Sequence, residues 1–189
     1  MLARGALIGW DEELGTTMRR AGPPQALAEA LADLGNMAVA LPLLAVAMAL
    51  SLLRSRGRSW WPVLCYAVAM GLMAPLVVGL KAWTDRTGPL GGGGYFPSGH
   101  AATTAVALGS ALLLLYAVLS RAARTSVWTL VAALVVGNGL GLVWRGYHWP
   151  LDVAAGWCLG VLLLAAATAT AHRRPGARQL PAGRQPPSK

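Results

Sequence analysis

Charge is scarce in this chain: only 12% of its 189 residues are Asp, Glu, Lys or Arg, where a soluble domain carries roughly a quarter. Acidic residues are scarcer still, and beyond Asp33 only Asp85 and Asp152 remain. Cysteine is limited to Cys65 and Cys158, both inside apolar runs, which excludes a disulfide framework and a cysteine metal site. No GK[ST] follows the glycines at 91–94, so a nucleotide-binding P-loop is excluded. The net charge of +9 invites a nucleic-acid reading. It is set aside because no basic recognition helix exists and the basic residues flank apolar segments. Residues 1–10 are too short, and too soon followed by Asp11, Glu12 and Glu13, to resemble a cleavable signal peptide.

What is present is hydrophobic length. The chain is 56% hydrophobic. Five stretches lack any Asp, Glu, Lys, Arg or His: Leu34–Leu53, Ser59–Leu80, Ala101–Ser120, Thr125–Trp144 and Val153–Ala171. Each is near the ~20 residues that cross a ~30 Å hydrocarbon core. Such uninterrupted runs imply helices, because helices satisfy their backbone internally. The expected fold is an all-α integral membrane bundle of five transmembrane helices across residues 34–171.

Arg54, Arg56 and Arg58, then Arg121 and Arg124, then the residues from Arg173 onward fall on one side if the spans alternate. The positive-inside rule makes that side the cytoplasm. The loops at 81–100 and 145–152 and the N-terminus are then extracytoplasmic, in the cell (inner) membrane of a bacterium. Trp60, Trp61 and Trp128 would mark the inner interface, and Trp83, Trp144 and Trp149 the outer one. Residues 1–33 are expected at the outer interface, with a short helix opened by Pro23 and Pro24 and carrying Leu27, Leu31 and Leu34. The Pro-, Gly- and Arg-rich tail, 172–189, is expected to be disordered.

Two of the three histidines, His100 and His148, lie in the two outer loops with Asp85, Asp152, Lys81, Arg86 and Arg145. Ionisable groups gathered at a membrane edge suggest a site. Lys81 and Arg86 can neutralise phosphate oxygens, Arg with a planar fork. The glycines at 91–94 read as a flexible connector. Pro97-Ser98-Gly99-His100 opens the third span, and a helix N-terminus binds phosphate through its free amides. His148 and Asp152 are four apart at the start of the fifth span, where Pro150 suits the first turn. A carboxylate on one imidazole nitrogen fixes the tautomer and frees the other nitrogen as nucleophile. Each feature alone also has a plain structural explanation, as a headgroup anchor or a helix cap.

These residues resemble the three motifs of the type-2 phosphatidic acid phosphatase superfamily: Lys-x6-Arg-Pro, Pro-Ser-Gly-His and Ser-Arg-x5-His-x3-Asp. The resemblance runs from Lys81 to Asp152. It implies that His148 attacks phosphorus, Asp152 orients it and His100 protonates the leaving oxygen. Lys81, Ser98 and Gly99 would hold the phosphoryl oxygens. No cofactor and no metal is implied; the implied partners are a lipid phosphate or pyrophosphate and the bilayer. Three departures stand out. Gly88 occupies the family Arg position, with Arg86 two residues earlier; Gly141 and Leu142 replace Ser-Arg, with Arg145 nearer His148; and five spans stand where the family usually has six. Arg86 and Arg145 are expected to compensate as phosphate ligands. The alternative is a catalytically weak relative that binds phospholipid.

Overall fold

The computed structural model describes residues 2–116 and 119–173, and among these there is no strand. Seven helices follow in order: α1 Leu2–Arg20, α2 Gln25–Ala32, α3 Met37–Arg54, α4 Trp60–Thr84, α5 Gly99–Leu115, α6 Arg121–Trp144 and α7 Pro150–His172. A 3-10 turn, Asp33–Gly35, joins α2 to α3. Four helices, α3, α4, α6 and α7, are long and apolar enough to cross a membrane. The remaining apolar run forms α5, of 17 residues, about 25 Å at 1.5 Å per residue. All five expected apolar segments are therefore helices, the third being the short one.

Helix α5 is also central rather than peripheral. It packs against α3, α4, α6 and α7. Ala101, Ala102, Thr104, Val106, Ala107 and Ser110 are sealed from the surface. The outer helices turn Leu41, Leu43, Val46, Leu72, Val78, Val161 and Leu162 outward instead. That arrangement suits hydrocarbon as solvent.

Small residues set the distances. A Cβ on Gly156 of α7 would lie 2.5 Å from the Ser98 carbonyl, and one on Gly160 would lie 2.7 Å from the Ala105 Cβ. These two glycines, one turn apart, let α7 press directly on α5. At the far end Trp61 donates to the Thr170 carbonyl at 3.1 Å, and Tyr66 shares a 3.0 Å hydrogen bond with Thr168. Helices α4 and α7 are thereby tied at that end.

The N-terminal segment, ahead of α3, departs most from expectation. Helix α2 begins just after Pro24, as its prolines suggest. Helix α1, by contrast, is a 19-residue element that the sequence reading did not anticipate. A Cβ on Gly15 would meet the Trp149 ring at 2.7 Å, and the Arg19 guanidinium lies 5.0 Å from the centre of that ring. Trp149 is thus buried packing at the head of α7 rather than an interfacial anchor, while Trp60, Trp83 and Trp128 are exposed. Asn138 of α6 pins α2: its amide donates to the Leu31 and Ala32 carbonyls at 3.0 and 2.9 Å, and its Oδ1 accepts from Thr104 of α5 at 3.0 Å. The expected disordered tail lies, beyond Arg173, outside the described residues.

If the contact between α5 and α7 controls the site, Gly156→Val should lower stability by about 1–3 kcal/mol through overpacking. Gly71→Val, at a glycine with no neighbour within 4 Å, should be far milder. Thermal unfolding of both variants in one detergent checks this, and equal losses would count against the contact.

Candidate active site

The polar residues of the segments at 81–100 and 145–152 converge at the ends of α4 and α6 and the starts of α5 and α7. Asp152 is central. It is fully buried in the first turn of α7. Its Oδ2 accepts from the Trp149 N–H at 3.0 Å, and its Oδ1 accepts from Arg86 Nη1 at 2.7 Å. His148 is 7% exposed and places Nδ1 3.4 Å from Oδ2. That is long for a hydrogen bond. With Nδ1–H directed at the carboxylate, Nε2 keeps its lone pair.

The Pro-Ser-Gly-His segment is joined to this centre through the backbone. The Ser98 N–H donates to the Asp152 carbonyl at 2.8 Å. Ser98 caps α5, its hydroxyl oxygen accepting from the Ala101 N–H at 3.3 Å. The His100 carbonyl accepts from Thr104 at 3.0 Å. The 3-10 turn comes so close that a Cβ on Gly35 would sit 2.5 Å from that carbonyl. Lys81, Gly99 and His100 share a cavity of about 490 Å³ with Met37, Met73 and Val77. It is polar at Lys81 and His100 and apolar along α3 and α4. His148 is not among its lining residues, and the Tyr95 ring meets His148 edge-on at 5.7 Å.

The glycine segment is built rather than loose. Gly91, Gly92 and Gly94 have φ of 83°, 80° and 76°, a region that side chains disfavour. Gly88 N–H donates to the Gly92 carbonyl at 3.1 Å, and Tyr95 N–H to the Arg86 carbonyl at 3.1 Å. Thr84 holds the Phe96 carbonyl at 2.9 Å, and the Trp149 indole holds the Thr87 carbonyl at 3.1 Å. The expectation of a flexible connector is corrected: the glycines permit tight turns.

Two expected phosphate ligands are engaged elsewhere. Arg86 gives Nη1 to Asp152 and Nη2 to Asp11, the latter at 2.5 Å. Its Nε meets no partner among the described residues. Arg145 is paired with Glu29 of α2, and the Tyr147 hydroxyl also donates to Glu29, at 2.9 Å. The Tyr147 hydroxyl and then the Glu29 carboxylate push the Arg145 pKa upward. In both cases a lone cation near the membrane has taken an available carboxylate. Sequence reasoning missed both acids because it assigned residues 1–33 to the interface. The one available signal was the spacing of Asp11, Gly15 and Arg19, which places them on one helical face.

A sequence model of the PAP2 superfamily matches residues 80–175, just over half the chain, covering all of these motifs. The chain belongs to the PAP2 superfamily. That places it in a phosphatase family, and its apolar helices make it a multi-pass membrane protein. Its fold is similar to that described as "Crystal structure of the first transmembrane PAP2 type phosphatidylglycerolphosphate phosphatase from Bacillus subtilis". The TM-score is 0.79 at 24% identity, over 92% of this chain and 90% of that chain. At that identity the likeness concerns fold. Comparison with curated proteins gives no match.

Within the PAP2 pattern both missing arginines have a structural correlate. The Tyr95 ring lies over Gly88, where a Cβ would come within 2.1 Å of ring carbons. Leu142 is 1% exposed in a core with Ala32, Ala101, Val143 and Val153. Neither place has room for a guanidinium.

Restoring the family residue by Gly88→Arg should therefore lower activity unless Tyr95 is cut back as well. Phosphate release by Gly88→Arg and by Gly88→Arg with Tyr95→Ala compares the two, and a gain in the single variant would contradict the packing argument. Arg145→Ala should reduce kcat/KM less than about tenfold, since a charged contact made in the transition state accounts for one to two decades. A larger loss in steady-state assays would return Arg145 to the phosphate site.

Proposed function

We propose that this PAP2 protein is a metal-independent phosphohydrolase acting on a membrane lipid phosphate or pyrophosphate through a phosphohistidine on His148. The observation that carries it is the bond from His148 Nδ1 to a buried Asp152, beside a cavity bearing Lys81, Gly99 and His100. His148 Nε2 attacks phosphorus, and the bond to the leaving oxygen breaks. His100, in its imidazolium form, gives that oxygen its proton. Asp152 stabilises the cationic phosphoimidazole. Lys81, with the Ser98 hydroxyl and the amides opening α5, offsets charge on the phosphoryl oxygens. Water then attacks phosphorus and gives its proton to His100. Inorganic phosphate leaves, and His148 is restored.

The cavity supports a lipid substrate. Its apolar wall of Met37, Ala74, Val77 and Val78 adjoins the cationic end. Met37 and Val78 also face outward. A phosphate headgroup would sit at Lys81 while its chain leaves between α3 and α4. Asp11, Arg86 and Arg145 stand outside the phosphate-binding set in this reading. The arginines at the opposite end of the bundle support an extracytoplasmic site. Polyprenyl pyrophosphate, phosphatidic acid and phosphatidylglycerolphosphate are the candidate substrates, the last shared with the Bacillus subtilis neighbour by that protein's description.

The alternative, a PAP2-like protein that binds phospholipid and turns it over weakly, is favoured only by the arginine positions at Gly88 and Leu142. The deciding experiment is phosphate release from a panel of those lipids by detergent-purified protein in excess EDTA. Wild type should release phosphate, and His148→Ala should trap no phosphoenzyme and lose all measurable turnover. Saturable binding without release by folded wild-type protein would establish the alternative. Loss of release on chelation would reject the metal-free step.

A further inference from the structure

We propose that Asp11 is a positioning residue for the His148 reaction, acting through Arg86 on Asp152, so that helix α1 is a working part of the active site. The inference rests on the phosphohistidine reading above. Asp11 belongs to a helix outside the matched residues 80–175 and outside the three motifs.

The contacts form one continuous chain. Asp11 has no exposed surface. Its Oδ1 accepts from the Leu151 N–H at 2.9 Å, and its Oδ2 from Arg86 Nη2 at 2.5 Å. Arg86 Nη1 reaches Asp152 Oδ1 at 2.7 Å, and Asp152 Oδ2 faces His148 Nδ1 at 3.4 Å. An unshared guanidinium beside a carboxylate prefers a two-point grip on both oxygens. Such a grip would compete with His148 for Oδ2. Asp11 takes the second arm of Arg86, and the guanidinium is left touching Oδ1 alone. Burying a carboxylate is costly unless it is paired, so seating α1 and orienting Asp152 become one event. Gly15 and Arg19, one and two turns along, hold α1 against Trp149 beside the same turn of α7.

Other groups act on this centre from the neighbouring elements: Lys81 at the end of α4, His100 at the start of α5 and Tyr95 in the glycine segment. None of them contacts Asp11 in a hydrogen bond or ion pair, so replacing Asp11 tests the Arg86 route.

Asp11→Asn keeps the shape and an oxygen for Leu151 while removing the charge from Arg86. In full-length protein it should lower kcat about ten- to hundredfold with KM changed less than about threefold. Glu13→Gln, an exposed acid on the same helix, should change neither. In an Arg86→Gln background Asp11→Asn should cause no further loss. An unchanged kcat, or losses that add across the two sites, would overturn the proposal.

A second readout needs no turnover. Nitrogen-15 spectra of the histidine rings in detergent, without substrate, should show His148 shifting away from its Nδ1-protonated form in Asp11→Asn and not in Glu13→Gln. If wild type releases no phosphate, the reaction fails but this spectrum still decides the linkage, and unchanged His148 signals would refute it. Should Asp11→Asn not fold, Arg86→Lys carries the test, because one ammonium cannot bridge the two carboxylates in the same way. The same loss of kcat and the same spectral change are expected, and wild-type behaviour would overturn the linkage.

Discussion

Asp152 joins every part of this site. One oxygen of its carboxylate caps the start of α7 at Trp149 and faces His148; the other is held by Arg86. Its own carbonyl accepts from Ser98, which ties the α5 motif to the α7 motif. A carboxylate with no access to water is tolerated only when its lone pairs are filled. Here the carboxylate's partners come from two separate stretches of sequence, at 86 and 148–149, and the backbone carbonyl of the same residue adds a third at Ser98. Satisfying one buried residue therefore brings the three together, and each is fixed relative to the others as a consequence.

This arrangement requires the helices beneath it to approach closely. In hydrocarbon there is no hydrophobic drive between helices, so packing and internal hydrogen bonds do the work. Gly156 and Gly160 bring α7 against α5, and Asn138 gathers the carbonyls of α2 and the hydroxyl of Thr104. Larger side chains at those glycines would separate the heads of α5 and α7, where His100 and His148 stand. Lipid-facing side chains carry no such constraint, which fits the plain Leu and Val composition of the outer surface.

The redistribution of cations separates this chain from the PAP2 pattern. Where the pattern has arginine, Gly88 is covered by Tyr95 and Leu142 is core. Arg86 and Arg145, which the sequence offers as substitutes, bind Asp11, Asp152 and Glu29 instead. Fewer cations then remain for a phosphoryl group, with Lys81 the one lining the cavity beside His100. In the proposed reaction the amides opening α5 at Gly99 would then take a larger share of the charge to be offset.

The sequence by itself determined the class of fold and the motifs from which the site is proposed. Apolar runs near the thickness of a bilayer have few ways to fold. The His148–Asp152 pair and the Ser98 cap were readable because they depend on contacts within about one helical turn. Only the tertiary structure decided the rest. That α5 is central and short, that the glycine segment is ordered, and that Arg86 and Arg145 serve carboxylates all depend on contacts between distant segments. Asp11 lies 75 residues from Arg86 in the chain. Residues 1–33 are polar enough for water, and only the seating of α1 on α7 shows one of their acids buried. Local pattern records the solvent a segment prefers; which charge meets which is settled by the packing that removes the water between them.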